Sequence, residues 1–231
     1  MRELDHAIIS FFNQFAQRWP LFDSIVVFFT NSDLMKGGVI FAGVWFAWFC
    51  SSPNVRTNRS YLLNALLGSL IALTLARVLA HVLPLRPRPI LDPSLHFRLP
   101  NGAPDQSNWT IWSSFPSDHA ALFCALLTGI WFASRRAGIV MLFYVLIAIC
   151  VPRIYIGIHY PTDILAGAVL GVCSVLLLSW RKVREPWTNP VLNWIERRPG
   201  LSYALLFLIS FEIGTLFWDI RTFLSIFDIS V

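Results

Sequence analysis

The chain has 231 residues, of which 56% are hydrophobic and only 13% charged, with a mean hydropathy of +0.61. Soluble domains average about 25% charged residues, so the composition excludes an ordinary soluble globule and points to an integral membrane protein. The net charge of +5 is what basic loops between apolar spans produce, and no nucleic-acid partner is expected from it.

In chain order, residues 3–19 carry a helical stripe of Leu4, Ile8, Phe11, Phe12, Phe15 and Trp19, with Asp5, Asn13, Gln17 and Arg18 off it. That pattern predicts an amphipathic helix lying in the membrane interface and ended by Pro20. Residues 21–30 form a second short apolar piece, either a re-entrant or interfacial turn or part of a tilted, broken span over 7–30. Asp5, His6, Asn13 and Gln14 interrupt any signal-peptide core. Apolar runs follow at 35–51, 61–83, 119–134, 137–152, 163–180 and 201–218. The expectation is an all-α, polytopic membrane helix bundle of about six transmembrane helices plus an N-terminal interfacial helix. It is read as one domain over 1–231, with a catalytic core at about 60–180, an interfacial segment at 1–33 and a last transmembrane helix at 199–220. Glu212, inside the last run, is expected to be a hydrogen-bonded structural carboxylate. Cys50, Cys124, Cys150 and Cys173 all lie in apolar runs without a CxxC pair and read as inert thiols.

Basic residues divide unevenly between the two sets of loops. Arg56, Arg59, Arg135, Arg136, Arg181, Lys182, Arg184, Arg197 and Arg198 fall on one side; Arg86, Arg88, Arg98 and Arg153 fall on the other. The positive-inside rule places the first set in the cytoplasm and turns the loop 84–118 outward, which in a bacterium means the periplasm or cell exterior. That loop, rich in proline, is the longest connection, and connections of that length are commonly functional. Its Trp109 and Trp112 are candidates for headgroup selection or interfacial anchoring.

The outward helix ends gather the chemistry. Arg77 and His81 are one turn apart near the end of the 61–83 run; Arg86 and Arg88 follow in LRPRPI; Ser117, Asp118 and His119 open the 119–134 run; Arg153 closes the next; His159 and Asp163 open the one after. Any one of these has a bland reading. A lone arginine at a span end snorkels to headgroups, and a lone Ser or Asp at a helix start caps it. Together at one membrane depth they read as an anion site. Guanidinium forks match phosphate oxygens, and a helix N-terminus adds N–H donors and a positive dipole end. Two histidines and a carboxylate add nucleophile, orienter and general acid. An imidazole attacks phosphorus when its other nitrogen donates to a carboxylate, which fixes the tautomer, and His159 and Asp163 are spaced for that contact. His119 then protonates the leaving oxygen, and the arginines neutralise charge. Arginines outnumber carboxylates, which argues against a metal site.

These residues resemble the three motifs of the type 2 phosphatidic acid phosphatase (PAP2) superfamily, K-x6-R-P, P-S-G-H and S-R-x5-H-x3-D. The third corresponds to Pro152-Arg153 through His159 to Asp163 with its spacing intact and proline for serine. The second reads Pro116-Ser117-Asp118-His119, with aspartate for glycine, and the first places His81 where lysine is usual before Arg88-Pro89. The resemblance covers about residues 60–180. It implies a membrane lipid phosphatase in which His159 forms a phosphohistidine, Asp163 orients it and His119 serves the leaving group and the water. Arg88, Arg153 and Ser117 would hold the phosphate with backbone donors at Asp118 and His119. His81, Arg77 or Arg86 would supply the first motif's charge, and no metal cofactor is implied. Asp118 is expected to turn its carboxylate away from the site.

The expected function is hydrolysis of a lipid phosphate or pyrophosphate in the bacterial inner membrane. Family and outward topology place undecaprenyl pyrophosphate first. Phosphatidylglycerophosphate, phosphatidate and lipid A phosphates stay open, as do phosphoryl transfer to another lipid and a non-enzymatic lipid-binding or transport role. The expected partners are the lipid substrate and the surrounding membrane lipids.

Overall fold

A computed structural model describes residues 2–50, 52–103 and 112–226, and every long element among them is a helix. Two short helices open the chain, α1 (Arg2–Asn13) and α2 (Pro20–Asn31). A π-helical turn (Leu34–Gly38) then leads into α3 (Val39–Phe49). Next come α4 (Val55–Val82), α5 (Asp118–Ala133) and α6 (Arg135–Tyr144), which continues through a π-helical stretch into α7 (Val151–Tyr155). The chain closes with α8 (Pro161–Leu178), α9 (Arg181–Arg197), α10 (Pro199–Gly214) and α11 (Trp218–Ser225).

Three of these, α4, the continuous Arg135–Tyr155 and α8, are long and apolar enough to cross a bilayer. Two bent pairs raise the count to five: Pro20–Asn31 with Leu34–Phe49, broken by 72°, and Pro199–Gly214 with Trp218–Leu224, broken by 80°. All six apolar runs are helical, but length and composition support three to five spans rather than six. The exception is α5, which is a shorter apolar helix of 16 residues.

The reason α5 is apolar all round is its position at the centre of the bundle. Ala120 through Leu127 are all buried, and α4, α8, α6 and α3 surround it. Small residues let it approach α8. A side chain at Gly167 would run into the Ser117 carbonyl, and one at Gly171 into the Ala121 carbonyl. This contact sets two helix starts side by side, so that the Ser117 N–H donates to the Asp163 carbonyl at 3.1 Å.

The N-terminal helix turns a mixed face inward, with Ile9 buried between two polar residues. Asp5 and Asn13 are buried, whereas Leu4 and Phe11 of the apolar stripe are exposed. Asn13 grips the long loop through both main-chain groups of Arg98, donating to its carbonyl at 2.7 Å and accepting from its N–H at 2.8 Å. Asp23 on α2 is fully buried and accepts from the Gln17 and Asn101 N–H groups at 3.0 Å and from the Tyr155 hydroxyl at 2.5 Å.

Elsewhere the expectations divide. Cys124 and Cys150 are buried but Cys50 and Cys173 are exposed. Glu212 departs from its hydrogen-bonded reading, because its Oε2 is buried without a hydrogen-bond partner.

Candidate active site

The α7–α8 turn carries His159. Ile158 and His159 both donate their N–H groups to the Arg153 carbonyl, at 3.0 and 3.3 Å, which closes the turn. Gly157 makes this possible with φ of +74°. The His159 ring is 5% exposed, and its Nδ1 lies 2.8 Å from the Ser114 carbonyl oxygen. A carbonyl only accepts, so Nδ1 carries the proton and Nε2 keeps its lone pair. Burial, followed by the charges of Arg88 and Arg153, pushes the His159 pKa down to about 3 against the pull of Asp118. The ring is therefore neutral.

Arg153 is 3% exposed and donates to the Ile149 carbonyl at 3.3 Å. Arg88 comes from the loop after α4. Its own burial lowers its pKa, and Asp118 and Asp163 oppose that shift. The charges of Arg88 and Arg153 thus act on one neutral imidazole. Ser117 is fully buried and caps α5, its hydroxyl accepting from the Ala120 N–H at 3.4 Å.

Asp163 is the orienter expected from the spacing, yet its Oδ2 is 3.9 Å from His159 Nδ1. It caps α8 instead, accepting from the Tyr160 N–H at 2.7 Å, while its Oδ1 meets Arg86 at 2.5 Å. Arg86 also binds Asp5 at 2.8 Å and Thr162 at 2.9 Å and lies 4.2 Å over the Tyr160 ring. With two carboxylates already bound, Arg86 is spoken for as a structural cation rather than as the first motif's phosphate ligand.

Asp118 does not turn away. Its Oδ1 lies 2.7 Å from both the His119 N–H nitrogen and His119 Nδ1, so the carboxylate faces the second histidine and holds its ring. Of the candidates for the first motif's charge, His81 is exposed, bonded to the Arg77 carbonyl at 2.8 Å and edge-on to Trp112 at 5.6 Å. Arg77 points the other way. It lines a polar cavity of about 200 Å³ beside Asp118 and His119, together with Lys36 and Arg221. Trp109 lies outside the described residues.

Four contributors escaped the sequence reading: Ser114, Asp5, Lys36 and Arg221. A main-chain acceptor such as Ser114 has no sequence signal. Asp5 had one, as the acid lying off the apolar stripe. Lys36 and Arg221 sit at the two broken helix pairs, where apolar periodicity lapses. A larger cavity, about 950 Å³, lies instead along α1 and α8 beside Asp5, Arg86 and Leu165, where the charges are already matched to one another. No cluster of three or more His, Cys, Asp or Glu is placed to hold a metal among the described residues.

Fold and site together define a helical membrane protein with a histidine–arginine centre suited to an oxyanion. The chain belongs to the PAP2 superfamily, which it matches over residues 60–187. It is similar to the bacitracin transport permease protein BcrC of Bacillus licheniformis, 35% identical over 85 residues. That match spans 37% of this chain and 41% of the relative, less than half of either. It is also similar to the undecaprenyl-diphosphatase BcrC of Bacillus subtilis, 25% identical over 175 residues, with 75% of this chain and 82% of the relative covered. A third relative is YbjG of Escherichia coli, whose assignment as an undecaprenyl-diphosphatase is itself provisional. It is 23% identical over 198 residues, with 84% of this chain and 91% of the relative covered. No solved structure matches. Family and relatives support a phosphoric ester hydrolase.

Proposed function

We propose that the protein is an integral-membrane phosphatase that releases phosphate from a lipid pyrophosphate through a phosphohistidine on His159. The observation that carries this reading is the His159 ring, neutral, buried and tied at Nδ1 to Ser114, with its basicity lowered by the charges of Arg88 and Arg153. In the first step Nε2 attacks the terminal phosphorus as the bond to the leaving oxygen breaks, and His119 supplies a proton to that oxygen. Arg88, Arg153 and the positive end of the α5 dipole neutralise the equatorial oxygens. In the second step water attacks the phosphohistidine, His119 takes its proton and the P–N bond breaks. Asp163 acts through the fold, by holding Arg86 and the α8 start around His159.

Undecaprenyl pyrophosphate is the first candidate substrate, because two relatives bear that name and each aligns over most of its length. Exposed charge supports the reading of an outward-facing site in a bacterial inner membrane. Arg56, Arg135, Arg136, Arg181, Lys182, Arg197 and Arg198 at the opposite end are all solvent-exposed. In this reading α5 also crosses, making six spans, with its short length offset by burial inside the bundle. The transport named for one relative is less well supported, since the polar groups described here gather at one end of the bundle.

The test is phosphate release by detergent-solubilised protein from a panel of prenyl pyrophosphate, phosphatidate and phosphatidylglycerophosphate, beside His159→Ala. Release from prenyl pyrophosphate that vanishes in the variant is expected. Equal release by both proteins refutes the mechanism, and transfer of the phosphoryl group to a second lipid in place of release identifies a phosphotransferase.

A further inference from the structure

The two broken helix pairs meet at the active-site end of the bundle. A side chain at Gly37 would strike the Gly214 backbone, so the α2–α3 and α10–α11 bends lie against each other. Between them and α5 opens the small cavity that contains His119. Three cations face it. Lys36 pairs with Asp33 at 2.9 Å, Arg77 approaches the Leu216 carbonyl at 3.5 Å, and Arg221 has its Nε buried without a hydrogen-bond partner. The two carboxylates of the cavity are both engaged, Asp33 with Lys36 and Asp118 with His119. Neither His159 nor Arg88 nor Arg153 lines it. The cavity therefore opens on the proposed acid, not on the nucleophile.

In-line displacement places the leaving oxygen opposite the attacking nitrogen. The leaving group accordingly departs toward His119 and into this cavity. From a phosphate monoester the leaving group brings a carbon chain there; from a diphosphate it brings a second phosphate. Two arginines and a lysine suit the phosphate. The cavity also adjoins an apolar groove of about 400 Å³ between α3 and α10, with Asp33 and Thr215 lining both. Leu34, Phe41, Trp45, Phe207 and Phe211 line that groove. An apolar chain attached to the second phosphate finds a path outward there.

We infer that Lys36, Arg77 and Arg221 form a second anion subsite, which receives the leaving phosphate of a prenyl diphosphate while its chain runs along the α3–α10 groove. This rests on the phosphatase reading above and names its selectivity: diphosphate over monophosphate.

The experiment compares kcat/KM for farnesyl diphosphate and farnesyl monophosphate in detergent micelles, using wild type, Lys36→Gln, Arg221→Gln and Lys36→Arg. The diphosphate-to-monophosphate ratio should fall about tenfold or more in each Gln variant, the loss of one charge-assisted contact in the transition state. It should recover in Lys36→Arg. A ratio that stays at the wild-type value, whether both rates fall alike or neither falls, overturns the subsite while leaving the phosphatase reading intact. A wild-type protein that hydrolyses neither substrate removes both.

Discussion

The Ser114 main-chain carbonyl, 2.8 Å from His159 Nδ1, holds the ring that the motif spacing assigns to Asp163, which stands 3.9 Å away. Orientation of the proposed nucleophile thus survives loss of the carboxylate, whereas loss of the imidazole leaves nothing to attack with. Asp163→Asn should lower kcat by about 10- to 100-fold, against about 1,000-fold or more for His159→Ala. Steady-state turnover of a lipid pyrophosphate measures both. Equal losses would mean that Asp163 touches the reacting ring directly.

Asp5 should matter for stability although it lies outside the family match. It is 1% exposed and joins Arg86 and Thr162, and Arg86 in turn joins Asp163. Breaking a fully buried pair costs about 3–5 kcal/mol; with the Arg86 side chain 29% exposed, about 2 kcal/mol is expected for Asp5→Ala. Thermal denaturation in detergent micelles should shift down accordingly, and an unshifted curve would show that the N-terminal helix is not a clamp on α8.

The neutral state of His159 has a signature in pH. Its pKa of about 3 lies below the usual histidine value of about 6.5, so the fold favours the uncharged ring. The stability this contributes is complete above about pH 6.5 and is lost as pH falls toward 3. In histidine-labelled free protein, the resonance absent from His159→Ala should not titrate between pH 8 and 5. A titration near the usual value would place the ring in water.

Asp118→Gly restores the usual family residue but removes the contact at 2.7 Å to His119 Nδ1. If that contact readies an acid, the loss depends on the leaving group. Turnover of an alkyl phosphate should drop about tenfold, and that of p-nitrophenyl phosphate, whose leaving group needs no proton, much less. Equal losses on both substrates would assign Asp118 a general structural role.

His81 and Arg77 separate two readings of the first motif. The exposed His81 ring bonds only a main-chain carbonyl and meets Trp112, while Arg77 faces the His119 cavity. Arg77→Ala should cost about tenfold or more in kcat/KM on a lipid pyrophosphate, and His81→Ala only a few-fold. The reverse order would restore His81 as the phosphate contact.

Much of this was legible in one dimension. The apolar runs became helices because their periodicity and length leave little alternative, and residues 156–160 became a compact turn because Gly157 and Pro161 punctuate it. What stayed hidden depends on three dimensions. The inward turn of Asp5 on α1 departs from the usual reading of an amphipathic helix, since its partner lies 81 residues away at Arg86. The aspartate at 118 reads as a repulsive neighbour for phosphate until its bond to the adjacent histidine is seen. Lys36 and Arg221 lie far apart in the sequence, and only the meeting of two bends gives them a common cavity.

The central claim is that His159 carries the phosphoryl group. Rapid quenching of a reaction with terminally radiolabelled prenyl pyrophosphate, followed by digestion and peptide mapping, tests it directly. The prediction is a base-stable, acid-labile label on the peptide containing His159, absent from His159→Asn. Turnover in His159→Asn at the wild-type rate, or a label that persists in that variant, would contradict it.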